Sequence, residues 1–441
     1  MTDTIFALSS GTGRAGLAVI RLSGPAAGAT LECLSGRPLP RSRQATRAIL
    51  RDPAAGDLLD DGLILWFPAP RSYTGEDVVE WHLHGGVAVV TAVLDALAAQ
   101  PGLRSAEPGE FTRGAFLAGK IYLTAAEGLI DLIDAETDGQ RRQALRQADG
   151  ALGRKYDGWR SRLVKLLAHF EASIDFVDEP IPDTLEAEIR RIILGVKNEI
   201  SQHLDDNRRG ERLRDGVHVA ILGAPNAGKS SLLNLLSQRD ASIVASIAGT
   251  TRDVVEVRLD LSGYPVTLAD TAGLSNSGGV IEAEGVRRAR ARAEQADLKL
   301  VLFDRTVPAD APSYNLIDSN TIVLFNKSDL VNDEVHETVD ALAQFTVSVK
   351  TGEGIDSFLY SLSAAVRERI GFGDAPMITR SRHRSALSAC RDALIRATVT
   401  PESELAAEDL RLAVRALGRI TGSVDVEDLL DIIFRDFCIG K

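Results

Sequence analysis

Gly223-Ala224-Pro225-Asn226-Ala227-Gly228-Lys229-Ser230 follows the apolar run Val217-His218-Val219-Ala220-Ile221-Leu222 and precedes Ser231 to Leu236, which reads as a helix. The octapeptide fits GxxxxGK[ST] and stands where that pattern has a mechanism, between a strand and a helix. Gly223 and Gly228 let the backbone approach phosphate oxygens, while N–H groups such as those of Ala227 and Ser231 face the anion. Lys229 is expected on the β- and γ-phosphates, and Ser230 on Mg²⁺. Further strands read at Lys299-Leu300-Val301-Leu302-Phe303 and Thr321-Ile322-Val323-Leu324-Phe325. Strands alternating with helices predict a parallel sheet covered on both faces.

Three more loops fall at strand ends. Asp270-Thr271-Ala272-Gly273 follows Pro265 to Ala269, so the Asp can join the magnesium shell and the Gly N–H can sense a γ-phosphate. Asn326-Lys327-Ser328-Asp329 ends the strand at Phe325, and its Asp can accept from the N1 and 2-amino donors that guanine has and adenine lacks. Ser348-Val349-Lys350-Thr351 closes the base pocket from another strand. Four such loops in order predict one crevice holding GTP or GDP. Gly249-Thr250-Thr251-Arg252-Asp253 lies where a first switch segment belongs, with Thr251 as the second hydroxyl ligand of Mg²⁺. Where many small GTPases carry a water-orienting Gln, this chain has Leu274. Glu282 and Glu284 are the candidates for that role, the alternative being acids that open a helix.

The rest of the chain divides by pattern. Residues 1–118 carry strand-like runs, Leu17 to Leu22 and Leu63 to Phe67, and a helix from Val87 to Ala99, an α/β domain. Residues 119–213 are helical by period, at Leu123 to Ala135, Trp159 to Phe176 and Leu185 to Leu204, with Pro180 and Pro182 between the last two. Residues 214–374 hold the strand–helix alternation, and helices return over 375–441. The reading is an α/β domain inserted into a helical one.

Composition narrows the function classes. With 50 Lys plus Arg against 62 Asp plus Glu, the net charge of −12 does not favour non-specific nucleic-acid binding. Basic clusters exist locally, at Arg208 to Arg214, Arg287 to Arg292 and Arg380 to Arg384, and read as solvated helix faces or as RNA contacts. Cys33, Cys390 and Cys438 offer neither a disulfide framework nor a zinc site. No run approaches ~18 apolar residues, and the N-terminus lacks a signal-peptide pattern, so a cytoplasmic protein without a membrane span is expected.

Beyond the nucleotide loops, three motifs are more specific. They are Ser72 to Glu80 (SYTGEDVVE), Glu107-Pro108-Gly109-Glu110-Phe111-Thr112 and Leu129 to Ala135 (LIDLIDA). With the terminal Phe437-Cys438-Ile439-Gly440-Lys441, they make the chain resemble, nearly end to end, the tRNA uridine-modification GTPases of the MnmE (TrmE) family. The resemblance implies an N-terminal folate-binding and dimerisation domain, a helical domain and an inserted Ras-like P-loop domain. It places Arg21, Glu80, Lys120 and Lys441 on positions for 5-formyl- or 5,10-methylene-tetrahydrofolate. It also implies K⁺ held by Asn226 and by main-chain oxygens around Ala245, Ile247 and Thr250, within the segment Ala245-Ser246-Ile247-Ala248-Gly249. The family commonly has Thr-Asp where this chain has Ala245-Ser246. Glu282 falls on the family's catalytic glutamate, acting with Lys229 and Thr251. Cys438 reads either as a nucleophile or as a small packed residue. The implied reaction adds a carboxymethylaminomethyl or aminomethyl group at C5 of the wobble uridine of tRNA. Its implied agents are a homodimer and an FAD-binding partner of the MnmG (GidA) type in a heterotetramer. The rival class is a GTPase switch in ribosome assembly without group-transfer chemistry, which would call for a basic RNA-binding tail.

Overall fold

Alternating apolar and polar side chains at 18–23 and 78–83 demand an antiparallel sheet with one face covered. The structure, a computed structural model, describes residues 3–175, 183–239, 256–270, 291, 293–331, 339–371, 376–400, 402–424 and 427–441. They form two units, Met1–Ile130 with Gln147–Ala168 and Arg411–Lys441, and Asp131–Arg146 with His169–Leu410. The first holds strands β1 (Thr4–Leu8), β2 (Ala18–Ser23), β3 (Thr46–Arg51), β4 (Leu58–Phe67), β5 (Val78–Leu83) and β6 (Leu103–Ser105). They lie in the order β3-β4-β5-β2-β1-β6, antiparallel except for β1 beside β6. One face buries Phe6, Ile20, Leu22, Val79 and Trp81 against Leu31 and Leu34 of α1 (Ala27–Ser35) and Val93 and Leu97 of α2 (Val87–Ala98). Ile5 and Ala7, on the opposite face, cluster with Phe111 of α3 (Glu110–Leu117). Arg21 and Glu80 alternate with the buried set and share that second face.

The helical part of this unit is built on α4 (Leu123–Ile133), where Leu123, Ala126 and Ile130 meet Leu430, Ile433, Phe434 and Phe437. From there residues 437–441 reach the sheet. Ile439 bridges to Pro108, and Ser9 Oγ donates to the Gly440 carbonyl at 2.8 Å. Gly440 sits at φ +94°, and a Cβ there would stand 2.0 Å from the Leu8 carbonyl oxygen, so the approach requires glycine. The helix expected from Trp159 begins earlier, as α6 (Ala151–Asp175), because Leu152 and Tyr156 are already buried. Between them α5 (Asp138–Ala148) has no counterpart in the periodicity, since Gln140-Arg141-Arg142-Gln143 carries little apolar signal.

In the second unit six strands, β7 (Val217–Gly223), β8 (Glu256–Leu261), β9 (Tyr264–Asp270), β10 (Leu298–Asp304), β11 (Thr321–Asn326) and β12 (Ala343–Thr346), take the order β12-β11-β10-β7-β9-β8. All neighbours are parallel except β8 with β9, the sheet of a Ras-like P-loop domain. Val219, Ile221, Leu300 and Leu302 pack with Leu232, Leu236, Phe358 and Leu362. Ala220, Leu222, Val301, Phe303 and Phe325 fill the other face. Burial on both sides explains why these strands read as continuous apolar runs.

The basic clusters acquire a different meaning here. Helices α7 (Asp183–Leu204) and α8 (Arg209–Asp215) lead into β7. Arg214 and Arg380 both reach Asp131 Oδ1, at 2.9 and 2.8 Å. Arg384 meets Asp206 at 2.7 Å, Glu211 at 3.2 Å and the Leu204 carbonyl at 2.9 Å, and Arg212 meets Asp297 at 2.6 Å. These arginines are joints inside the second unit, neither solvated helix faces nor a free RNA surface. Arg287, Arg288, Arg290 and Arg292 lie outside the described residues.

At the start of α3, Glu110 accepts from Arg104 Nη1 and Nη2 at 2.9 and 2.5 Å and from the Glu107 N–H at 2.8 Å. Burial pushes its carboxyl up, but the Arg104 guanidinium and the Glu107 N–H outweigh burial and hold it below the ordinary value. A depressed folded pKa stabilises above the unfolded value, about 4.3, and that contribution is lost as pH falls through the folded value. Glu110→Gln should therefore cost about 1–2 kcal/mol near pH 7, discounted for the exposure of Arg104. The gap from the parent should shrink below pH ~4. Denaturant unfolding at both pH values checks this.

Candidate nucleotide-binding site

Because β7, β9, β11 and β12 run parallel, their C-terminal ends share one edge. Ile221 is in register with Asp270, Gly223 with Leu302, and Phe325 with both Phe303 and Thr346. The chain leaves β7 toward β9 on one side and reaches β10 on the other, so a crevice opens where the P-loop lies.

The loop itself is tightly built. Asn226 adopts φ +65°, and the helix α9 (Lys229–Arg239) starts at Lys229, two residues before the expected Ser231. Lys229 is 5% exposed, and its ammonium donates to the Gly223 and Ala224 carbonyls at 2.7 Å each. Ser230 and Ser231 stand exposed in the first turn of α9. A Cβ on Gly228, at φ +104°, would fall 2.2 Å from Asn326 Nδ2. Asn326 is 3% exposed; its Nδ2 donates to the Ala227 carbonyl at 2.8 Å, and its Oδ1 accepts from the Val349 N–H at 3.1 Å. One side chain thus stitches three loops. Ser348 Oγ donates to Asp329 Oδ1 at 2.7 Å and accepts from the Thr351 N–H at 3.1 Å, which orients the Asp329 carboxylate. Lys327, at φ +66°, lies between Asn326 and Asp329, and Lys350 is exposed.

The structure therefore brings together Gly223, Asn226, Ala227, Gly228, Lys229, Ser230, Ser231, Asn326, Lys327, Asp329, Ser348, Val349 and Lys350, with the backbone of Asp270 closing β9. Ala245, Ser246, Ile247, Ala248, Gly249, Thr250, Thr251, Thr271, Ala272, Gly273, Glu282 and Glu284 lie outside the described residues. What is described suits a purine nucleotide. Gly228 lets the P-loop backbone close directly against Asn326, and a fixed carboxylate stands ready for paired N–H donors.

A second polar site lies in the first unit. Arg21 Nε donates to Glu80 Oε1 at 2.9 Å across adjacent strands, with both side chains about a fifth exposed, 19% and 18%. The guanidinium sits over Tyr73 and Phe111, 5.5 and 5.6 Å from the ring centroids. Burial pushes the Tyr73 hydroxyl up, against its contact with Thr112. Lys120 donates to the Pro70 carbonyl in the loop that carries Tyr73, and Lys441 is held beyond the end of β1 by Gly440. His82 Nε2, 3.7 Å from Glu80 Oε2, is buried with no hydrogen-bond partner. Sequence reading missed His82, although Glu80-x-His82 alternation puts both on one sheet face. A cation, a carboxylate, two rings and an orphan imidazole nitrogen suit a flat heterocycle bearing donors and an anionic tail.

Cys438 is exposed, whereas burial pushes the Cys390 thiol up to about 12. Among the described residues no cluster of His, Cys, Asp and Glu could hold a metal, and no helix is long and apolar enough to cross a membrane.

Residues 4–120 match the family described as GTP-binding protein TrmE N-terminus, and residues 123–438 match the MnmE helical domain. The chain belongs to the MnmE (TrmE) family. It is 56% identical over 443 residues to the tRNA modification GTPase MnmE of Paramagnetospirillum magneticum, covering 100% of both chains. With that of Rhodospirillum rubrum it shares 55% over 453 residues, covering 100% of this chain and 99% of the relative. It is 49% identical over 462 residues to the human mitochondrial 5-taurinomethyluridine-[tRNA] synthase subunit GTPB3, covering 99% and 93%. The helical match of this MnmE-family chain runs across the Ras-like sheet, as an inserted domain requires.

Gly228→Ala should weaken guanine-nucleotide binding by about a hundredfold, because the added methyl displaces Asn326 and both bonds it makes. Titration with fluorescent GDP measures the loss, and circular dichroism should stay unchanged.

Proposed function

We propose that this chain is a GTP hydrolase of tRNA modification, adding a carboxymethylaminomethyl or aminomethyl group at C5 of the wobble uridine with an FAD-dependent partner. The observation that carries this reading is a guanine-type crevice and the Arg21–Glu80 site in one chain matched end to end by tRNA modification GTPases. GTP hydrolysis drives pairing and rearrangement of the nucleotide domains. The chain works as a homodimer, in a heterotetramer with an MnmG-type partner, in the cytoplasm. In this reading the domains meet near residues 118, 213 and 374.

In this reading Lys229 neutralises the β- and γ-phosphates, and main-chain N–H groups of the P-loop cradle them. Ser230 and Thr251 would hold Mg²⁺, with Asp270 in its outer shell. Asn226 and the carbonyls of Ala245, Ile247 and Thr250 would hold K⁺. A cation there supplies charge compensation, as an arginine finger does elsewhere. Glu282 orients the attacking water in place of the Gln that Leu274 cannot replace. Glu80, held by Arg21, would accept from the donor edge of a tetrahydrofolate's pterin, Lys120 would meet its anionic tail, and Lys441 would border the site. The folate, when bound, supplies the one-carbon unit.

Two experiments test the reading. A strain whose only copy carries Glu282→Ala should lack the C5 group on wobble uridines, while the purified variant binds GTP with parental affinity and turns over about a hundredfold more slowly. Normal wobble nucleosides in a strain without the gene would overturn the tRNA role. Separately, hydrolysis should be faster in KCl than in NaCl at equal ionic strength. Equal rates would mean that Ala245-Ser246 has disabled the cation site.

A further inference from the structure

Asp304 ends β10 in register with Asn326, which ends β11. The sequence motifs assign it no role. Its side chain is only 12% exposed, and both carboxylate oxygens are engaged. Oδ1 accepts from the Thr306 N–H at 2.9 Å and from Thr306 Oγ1 at 2.7 Å, while Oδ2 accepts from Lys327 Nζ at 2.5 Å. The Thr306 bonds close a turn that fixes the carboxylate before it meets the lysine.

Lys327 is the residue that needs fixing. Its φ of +66° lies in the left-handed region, which side chains other than glycine rarely adopt. It separates Asn326, which ties the P-loop to the Val349 loop, from Asp329, which Ser348 orients. If the backbone at 327 relaxed to an ordinary conformation, Asp329 would turn away while Asn326 stayed pinned. The Arg305 N–H on the Asn326 carbonyl, at 3.1 Å, locks the same two strand ends together. A fixed carboxylate on the Lys327 ammonium therefore opposes that relaxation through a charge-assisted bond between neighbouring strand ends.

We propose that Asp304 is a positioning residue for guanine recognition, holding Lys327 left-handed so that Asn326 and Asp329 face the base together. This rests on the reading of the crevice as a guanine site. Asp304 touches no nucleotide; it acts through the loop. The opposite arrangement is one in which Lys327 must leave Asp304 to reach the nucleotide, and Asp304 then competes with the ligand.

The test uses the full chain with Asp304→Ala, Lys327→Ala, the double variant and Asp304→Asn, which retains an acceptor for Thr306 but not the charge. Release of fluorescent GDP is followed by stopped flow, and GTP turnover at steady state. Each single alanine variant should release GDP about tenfold faster, the loss expected of one charge-assisted hydrogen bond. KM for GTP should rise in parallel, and kcat should stay within about twofold. The double variant should be no worse than the weaker single one, because the two side chains act as one pair. Asp304→Asn should fall between, and it carries the test alone if Asp304→Ala does not fold. Parental or slower release from Asp304→Ala would overturn the proposal, as would effects that multiply in the double variant. So would a lowered melting temperature with unchanged KM, which marks a merely structural contact. A parental chain that binds no labelled GDP would overturn the crevice reading and this proposal with it.

Discussion

The nucleotide edge of the second unit depends on one buried carboxamide. Asn326 donates to the Ala227 carbonyl and accepts from the Val349 N–H, so the P-loop, the end of β11 and the loop after β12 share a single side chain. An orphaned buried amide costs about 1–3 kcal/mol, which makes the three loops close together or not at all. That closure excludes any side chain at 228 and fixes where Asp329 begins its turn. It is possible only because parallel pairing puts all three strand ends on one edge.

How much of this could be read from the sequence depends on how each feature is encoded. Strands buried on both faces declare themselves as apolar runs, so β7, β10 and β11 were legible to within a residue or two. The turns at 223–230, 326–329 and 348–351 were legible because each has a short motif at a strand end. The bonds of Asn326 were not, since they follow from the register of β11 with β12. Polar helix α5 was illegible for lack of an apolar stripe. The first half of β4 was hidden for a related reason, as Asp60 and Asp61 look like turn residues yet pair with His84 and Arg47. Arg21 and Glu80 needed the family resemblance to stand out, and His82 needed the sheet.

Charge shows the same limit. Runs such as Arg208 to Arg214 look like a surface for polyanions, but counting residues does not reveal which carboxylates stand opposite. Asp131, Asp206, Glu211 and Asp297 answer most of those arginines within the fold. Half-buried ion pairs of this kind are costly to break singly, because each leaves a charge with no partner. They hold the helices that flank the inserted domain to the linkers on either side of it.

The contact of Gly440 with Leu8 and Ser9 bears on how the molecule comes into being on the ribosome. Ser9 and Gly440 are separated by 431 positions along the chain. At about 5–20 residues per second, roughly 20 to 90 s pass between synthesis of the first partner and the second. The antiparallel core of the N-terminal unit has all its own strands long before then and is free to form. The far end of β1, beside the Arg21 row, must wait for residues 437–441 to emerge. Until then the Leu8 carbonyl and Ser9 hydroxyl lack the close backbone partner that Gly440 supplies. The contact of Gly440 thus closes the first unit late, after its sheet is already in place.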